Sequence, residues 1–179
     1  TSSARILIDH KDKPHDGAYG SVIKISTAVF LLQGMIVALG GIVLGLCLPK
    51  FMNVQPQFER PLFYLVAGQC LLMGLFFVSR IFWNLGLAHQ RYDLYNYSQI
   101  GVLTIQFPTL WLAFHEGFGI YSMLIAAAVG MLFGFCCGWI VALKFGFLPP
   151  RGCWGRFNQK LFKEIFFYGG DSFLLALGY

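Results

Sequence analysis

The sequence predicts an all-α fold, a polytopic transmembrane helical bundle, and three observations carry that expectation. Apolar residues fill 57% of the 179 positions and charged residues only 12%, where a soluble globular domain carries about 25% charged residues. Such a chain has too few polar groups to cover a core in water. Its apolar residues gather in runs near 20 residues long, the length that crosses a hydrocarbon layer ~30 Å thick. Its charges collect at the ends of those runs, mostly on one side.

Residues 1–24 are polar and mixed in charge, and they read as a cytoplasmic loop. The first span covers about 25–48 and ends at Pro49-Lys50. The second follows Pro61 and covers about 62–87. The third, about 95–114, has the shortest apolar core and contains Gln106 and Pro108. Pro108 removes a backbone hydrogen bond and is expected to kink the helix. The fourth covers about 118–143 and completes a bundle within 25–148. Residues 149–160 form a basic amphipathic linker, and 161–179 open a fifth span that stops at Tyr179. With Thr1 in place of an initiator Met, the chain reads as an internal fragment with four full spans and the start of a fifth.

Charge sets the orientation. With these spans, Arg5, Lys11, Lys13, Lys24, Arg80, Arg91, Lys144, Arg151, Arg156, Lys160 and Lys163 fall on one side, and only Lys50 and Arg60 on the other. Cytoplasmic loops carry the excess of Lys and Arg. The N-terminal segment and the 88–94 and 144–160 loops are therefore expected inside, at a cell (cytoplasmic) membrane. The net charge of +5 follows from these loops, so it points to acidic membrane lipids and not to nucleic acid.

Within the spans, Gly41 and Gly45 form one GxxxG pair, and Gly130, Gly134 and Gly138 form a double one. Small residues on one face let helix backbones approach closely in lipid, and the glycines read as packing sites. After the fourth span, Trp154, Phe157, Leu161 and Ile165 fall within an arc of about 80° on a helical wheel. Arg156, Lys160 and Lys163 lie opposite. This is the pattern of a helix lying in the membrane interface, with its cations toward acidic headgroups.

Polar groups inside spans carry the functional information, because each is costly in lipid. Arg80 lies on the cytoplasmic half of the second span beside Trp83 and Asn84. It could line a cavity and hold a phosphate through its bidentate fork, or snorkel to the interface. Gln33, Gln69 and Gln106 could line an aqueous path or join helices as hydrogen-bonded glue. Asp171, about ten residues into the fifth span, could bind a proton, a cation or an Arg partner, or lie shallower. His115-Glu116 has no second catalytic partner nearby. The five cysteines form no CxxC pair and read as small apolar packing residues. No Walker loop, GxSxG, HExxH or GxGxxG occurs, so no catalytic residue, metal site or cofactor is expected.

Several segments together resemble the polysaccharide and lipid-linked oligosaccharide flippases of the multidrug/oligosaccharidyl-lipid/polysaccharide (MATE-like) exporter superfamily. Ala4-Arg5-Ile6-Leu7-Ile8, followed by Ile23-Lys24-Ile25-Ser26-Thr27-Ala28, resembles the entry to that family's third span. Gly86-Leu87-Ala88-His89-Gln90-Arg91-Tyr92-Asp93 resembles the loop after its fourth. Glu116-Gly117-Phe118-Gly119 resembles the tight turn between its fifth and sixth spans. Leu161-Phe162-Lys163-Glu164-Ile165-Phe166-Phe167-Tyr168-Gly169 resembles the entry to its seventh.

The resemblance implies a two-lobed protein of which this chain holds most of the first lobe. The 154–165 segment would link the lobes. The implied activity is flipping a lipid-linked oligosaccharide by alternating access, with Arg80 toward the sugar-phosphate head. Two other readings stand beside it. An ion- or proton-coupled multidrug exporter of the same superfamily needs cavity carboxylates, for which only Asp171 is available. A membrane-embedded glycan polymerase or acyltransferase needs large extramembrane loops, and the outer loops here are short.

Overall fold

The computed structural model describes residues 7–8, 17–150, 152–155, 159 and 162–163. Among these residues all regular structure is helical. Four long helices follow one another: α1 (Ala18–Phe51), α2 (Pro56–Ala88), α3 (Tyr92–His115) and α4 (Ser122–Lys144), the last preceded by a 3-10 turn at Gly119–Tyr121.

Among the described residues three helical segments are long and apolar enough to cross a membrane: Ala18–Phe51, Pro56–Ala88 and Gly119–Lys144. The helix α3 reaches 24 residues but is not among them. Asn96, Ser98, Gln99, Thr104, Gln106 and Thr109 lower its hydropathy. Two of these hydroxyls turn inward on their own helix: Thr104 donates to the Ile100 carbonyl and Thr109 to that of Ile105, both at 2.8 Å.

The helices are longer than the apolar runs. α1 begins seven residues before the expected span at Ile25, because Tyr19, Val22 and Ile23 are buried there. α2 begins at Pro56 and runs through Pro61. Proline suits the first helical position, where its missing N–H would be unpaired anyway. Pro61 leaves free only the carbonyl of Gln57, an exposed residue. α3 likewise continues through Pro108.

One device ends all four helices. A residue with positive φ, namely Asn53, Gln90, Gly117 or Gly146, follows each last turn. The amides after them close six-residue loops: Val54 onto Pro49, Arg91 onto Gly86, Phe118 onto Ala113 and Phe147 onto Ala142, at 3.0–3.1 Å. These are Schellman caps, which satisfy carbonyls the helix leaves unpaired. They make the connections 52–55 and 89–91 shorter than the expected loops 49–61 and 88–94, while 116–118 keeps the three-residue length expected for 115–117.

The chain divides into two compact units. One comprises Thr1–Phe30, Arg80–Tyr95 and Gly138–Tyr179, and the other Leu31–Ser79 and Asn96–Cys137. In the first, large apolar side chains are buried, among them Tyr19, Ile25, Val29, Trp83, Leu85 and Phe147. In the second the pattern is inverted. Gly34, Gly41, Gly45, Gly74, Gly130 and Gly134 are buried, while Leu39, Val43, Leu71, Met73, Leu103 and Leu132 are more than half exposed. Small residues inside and large apolar residues outside is the arrangement that suits a lipid solvent, where close backbone packing joins the helices.

Candidate functional site

Arg80 and Asn84 lie one turn apart on α2, a spacing that puts both on one face. Asn84 is 4% exposed and Arg80 is half-buried. Eight residues separate Arg80 from the end of α2 at Ala88, about 12 Å along the axis. Trp83 packs edge-on against Tyr95 of α3 with ring centroids 5.4 Å apart. Phe82 does the same with Trp139 of α4 at 5.3 Å. Gly138 makes room for this: a Cβ there would stand 3.0 Å from the Phe82 Cβ.

The three glutamines fall in the other unit and have different surroundings. Gln69 is exposed and Gln33 half-buried. Gln106 lies flat across Gly130, where a Cβ would come within 2.7 Å of its carboxamide carbon. With Leu103, Phe107 and Leu110 of α3 and Met123, Ala126 and Ala127 of α4, it lines an apolar groove of about 270 Å³. That placement fits a side chain filling a helix contact. Asp171 lies outside the described residues.

The glycine motifs find their partners. On α1, Gly41 meets the Cys70 side chain and Gly45 meets Phe63, both on α2. A close backbone approach between α1 and α2 was not expected: Gly34 of α1 crosses Gly74 of α2, and a Cβ on either would run into the other's carbonyl oxygen. Gly34, Ala38, Gly41 and Gly45 form a small-residue seam spaced four, three and four, and that spacing was the available signal. The glycines of the double motif on α4 meet two different helices. Gly130 and Gly134 face Gln106 and Val102 of α3, whereas Gly138 faces α2. The 100° step per residue turns the face by about 40° at every fourth position, enough to change neighbours over eight residues.

The linker also departs from expectation. Residues 152–155 are irregular, so Trp154 is not part of a helix. Gly152 and Gly155 take φ of 100° and 55°, a left-handed conformation that interrupts a helix. Lys163 is helical and exposed, and Arg156, Phe157 and Lys160 lie outside the described residues. The segment is strapped across the first turns of α1. Gly20 of α1 lies under Cys153 and Trp154, and a Cβ there would be 2.6 Å from both the Cys153 carbonyl oxygen and the Trp154 Cα. Lys24 Nζ donates to the Gly155 carbonyl at 3.3 Å.

Sequence reasoning missed an aromatic cluster at this end of the helices. The His89 ring stacks on Phe147 with centroids 4.3 Å apart and meets Tyr19 edge-on at 6.4 Å. Its Nδ1 lies 2.9 Å from the Leu85 carbonyl oxygen, to which it donates when protonated there. Arg91 sits 4.7 Å above the Phe145 ring and forks onto Asp93, Nε to Oδ1 and Nη2 to Oδ2, each at 3.0 Å. These hydrogen bonds hold the Asp93 carboxyl below its ordinary pKa. Nothing in the periodicity marks the cluster, since its members come from three separate helix ends.

Among the described residues no group of three or more His, Cys, Asp or Glu is placed to hold a metal ion. No protein-family model, curated protein or solved structure matches the chain.

Proposed function

We propose that the protein is a polysaccharide-export flippase of the MATE-like kind, moving a lipid-linked oligosaccharide across the cytoplasmic membrane by alternating access. The observation that carries this reading is Arg80: a half-buried cation inside an apolar helix, with a buried amide, Asn84, one turn on along the same face. A charge at the centre of a lone span costs about 3 kcal/mol on the insertion scale, so a retained one implies a polar partner or a wet surface. A guanidinium beside an amide can grip the phosphate of a glycolipid head by its fork and by a neutral donor.

In this reading α3 crosses the bilayer as a fourth span, shielded by its neighbours because its own hydropathy is lower. The N-terminal segment, the turn at 89–91 and the segment after α4 are cytoplasmic. The outer-turn pair His115-Glu116 plays no catalytic part.

The test is transport of a fluorescent lipid-linked oligosaccharide in vesicles holding the full-length protein. Arg80→Gln should slow flipping on the order of tenfold or more, the scale of a lost charge-assisted hydrogen bond, with normal insertion. Arg80→Lys keeps the charge without the fork and should fall in between. Wild-type rates in both variants would make Arg80 an interfacial anchor and remove the main support for this reading.

A further inference from the structure

We propose that the Arg91–Asp93 pair is a binding site for a zwitterionic phospholipid headgroup bearing a primary ammonium, of the ethanolamine type. The proposal rests on the chain being a membrane bundle and is independent of what that bundle transports.

The pair stands between the end of α2 and the first turn of α3, just outside the apolar part of both helices. Arg91 is held on two sides. One edge of its guanidinium is forked onto Asp93, and one face lies against the Phe145 ring. The outer edge, with the Nη1 hydrogens and the second Nη2 hydrogen, takes no part in the fork. The Asp93 oxygens keep lone pairs beyond those used by Arg91. The side chains are 40% and 48% exposed, so a partly exposed cation and a partly exposed anion stand side by side, joined by a 3.0 Å contact. Phe145 and Tyr92 beside them are also exposed and apolar enough to lie at the headgroup level.

Charge complementarity selects the occupant. A lone Arg would favour anionic lipid, but here Asp93 cancels its charge locally. A phosphodiester can take the free edge of Arg91, and an ammonium on the same headgroup can donate to Asp93. A choline headgroup has the phosphate but no N–H to donate. A glycerol headgroup has the phosphate but no cation. Only the ammonium-bearing headgroup meets both partners at once.

The experiment uses the whole chain in nanodiscs of mixed ethanolamine, choline and glycerol phospholipids, with the lipid kept through detergent purification counted by mass spectrometry. Wild type should hold ethanolamine lipid roughly two- to fivefold above its bulk share relative to choline lipid, the scale of one exposed charged hydrogen bond. Asp93→Asn should remove that preference and shift it toward glycerol lipid, because Arg91 is then unscreened. Arg91→Gln should remove both preferences. Lys50→Gln, at the other end of α1, should change neither. Equal retention of ethanolamine and choline lipid by wild type, or an unchanged preference in Asp93→Asn, would overturn the proposal. Release of the chain from membranes by alkaline carbonate would instead sink the membrane reading beneath it. A melting curve for each variant separates a lost headgroup site from a lost fold.

Discussion

The Tyr19 hydroxyl donates to the Phe147 carbonyl oxygen at 2.9 Å, joining residues 128 positions apart. Tyr19 is 2% exposed and Phe147 6%, so the bond is made out of water. It fixes the start of α1 to the chain that leaves α4, and the His89 ring fills the space beside both. Tyr19→Phe keeps the ring and deletes the donor. A buried acceptor left without this donor costs about 1–3 kcal/mol. The variant should unfold at lower temperature in detergent or nanodiscs. An unchanged melting curve would mean that the bond contributes nothing net.

The α1–α2 seam offers a paired test. A side chain at Gly41 would run into Cys70, whereas Gly40, one residue earlier, has nothing within 4 Å of its would-be Cβ. Gly41→Val should therefore force the helices apart and destabilise by about 1–3 kcal/mol or more, as overpacking does. Gly40→Ala should be neutral or slightly stabilising, because alanine is the better helix former by ~1 kcal/mol. Equal effects at the two positions would place the α1–α2 contact elsewhere.

What could be read from the sequence follows from what each signal measures. Runs of apolar residues report solvent, so they located α1, α2 and α4. They could not find where the helices begin, because Tyr19 to Lys24 is mixed and Pro56 to Pro61 mostly polar in composition, and both are helical in structure. The positions of Gly41 and Gly45 showed which face of α1 is packed. The Gly34–Gly74 crossing is not marked by a GxxxG pair, and only the four-three-four spacing of small residues on α1 points to Gly34. Arg80 and Asn84 stood out as costly groups in an apolar run. The Tyr19–His89–Phe147 cluster did not, since contacts between distant helix ends leave no periodic trace in one sequence.

Of the two caps without glycine, Asn53 and Gln90, the one at Gln90 is the more strained, because Asn tolerates the left-handed region better. The φ of Gln90 is 59°, a left-handed conformation that costs an L-residue with a side chain roughly 1–2 kcal/mol. Glycine adopts it freely but loses more entropy on folding, about 0.5–1 kcal/mol. Gln90 is exposed, so no side-chain burial is lost on substitution. Gln90→Gly should raise stability by a net of about 0.5–1 kcal/mol, and Gln90→Val should lower it. The same melting experiment reads both. A destabilised Gln90→Gly would show that the Gln side chain supports the turn.

The last prediction concerns which end of the helices faces the cytoplasm, and it follows from charge. The turn at 89–91 is flanked by Arg80, Arg91 and, across the cluster, Lys144, while the turn at 52–55 has only Lys50 and Arg60 nearby. Translocated loops of this length carry few cations, so the first turn should be inside and the second outside. Both Gln57 and Gln90 are exposed, which makes each a fair position for a reporter thiol. The five native cysteines are all free, so they must first be replaced. Cysteine at Gln57 should then react with an impermeant maleimide added to intact cells, and cysteine at Gln90 only after the membrane is opened. The reverse pattern would invert the orientation and move Arg80 to the outer half of the membrane. A phosphate-bearing head arriving from the cytoplasm would then not meet it first, and the flippase proposal would lose its starting step. Labelling of both positions from outside would mean that α2 does not cross the membrane, although its hydropathy and its length of 33 residues are sufficient for a span of about 20.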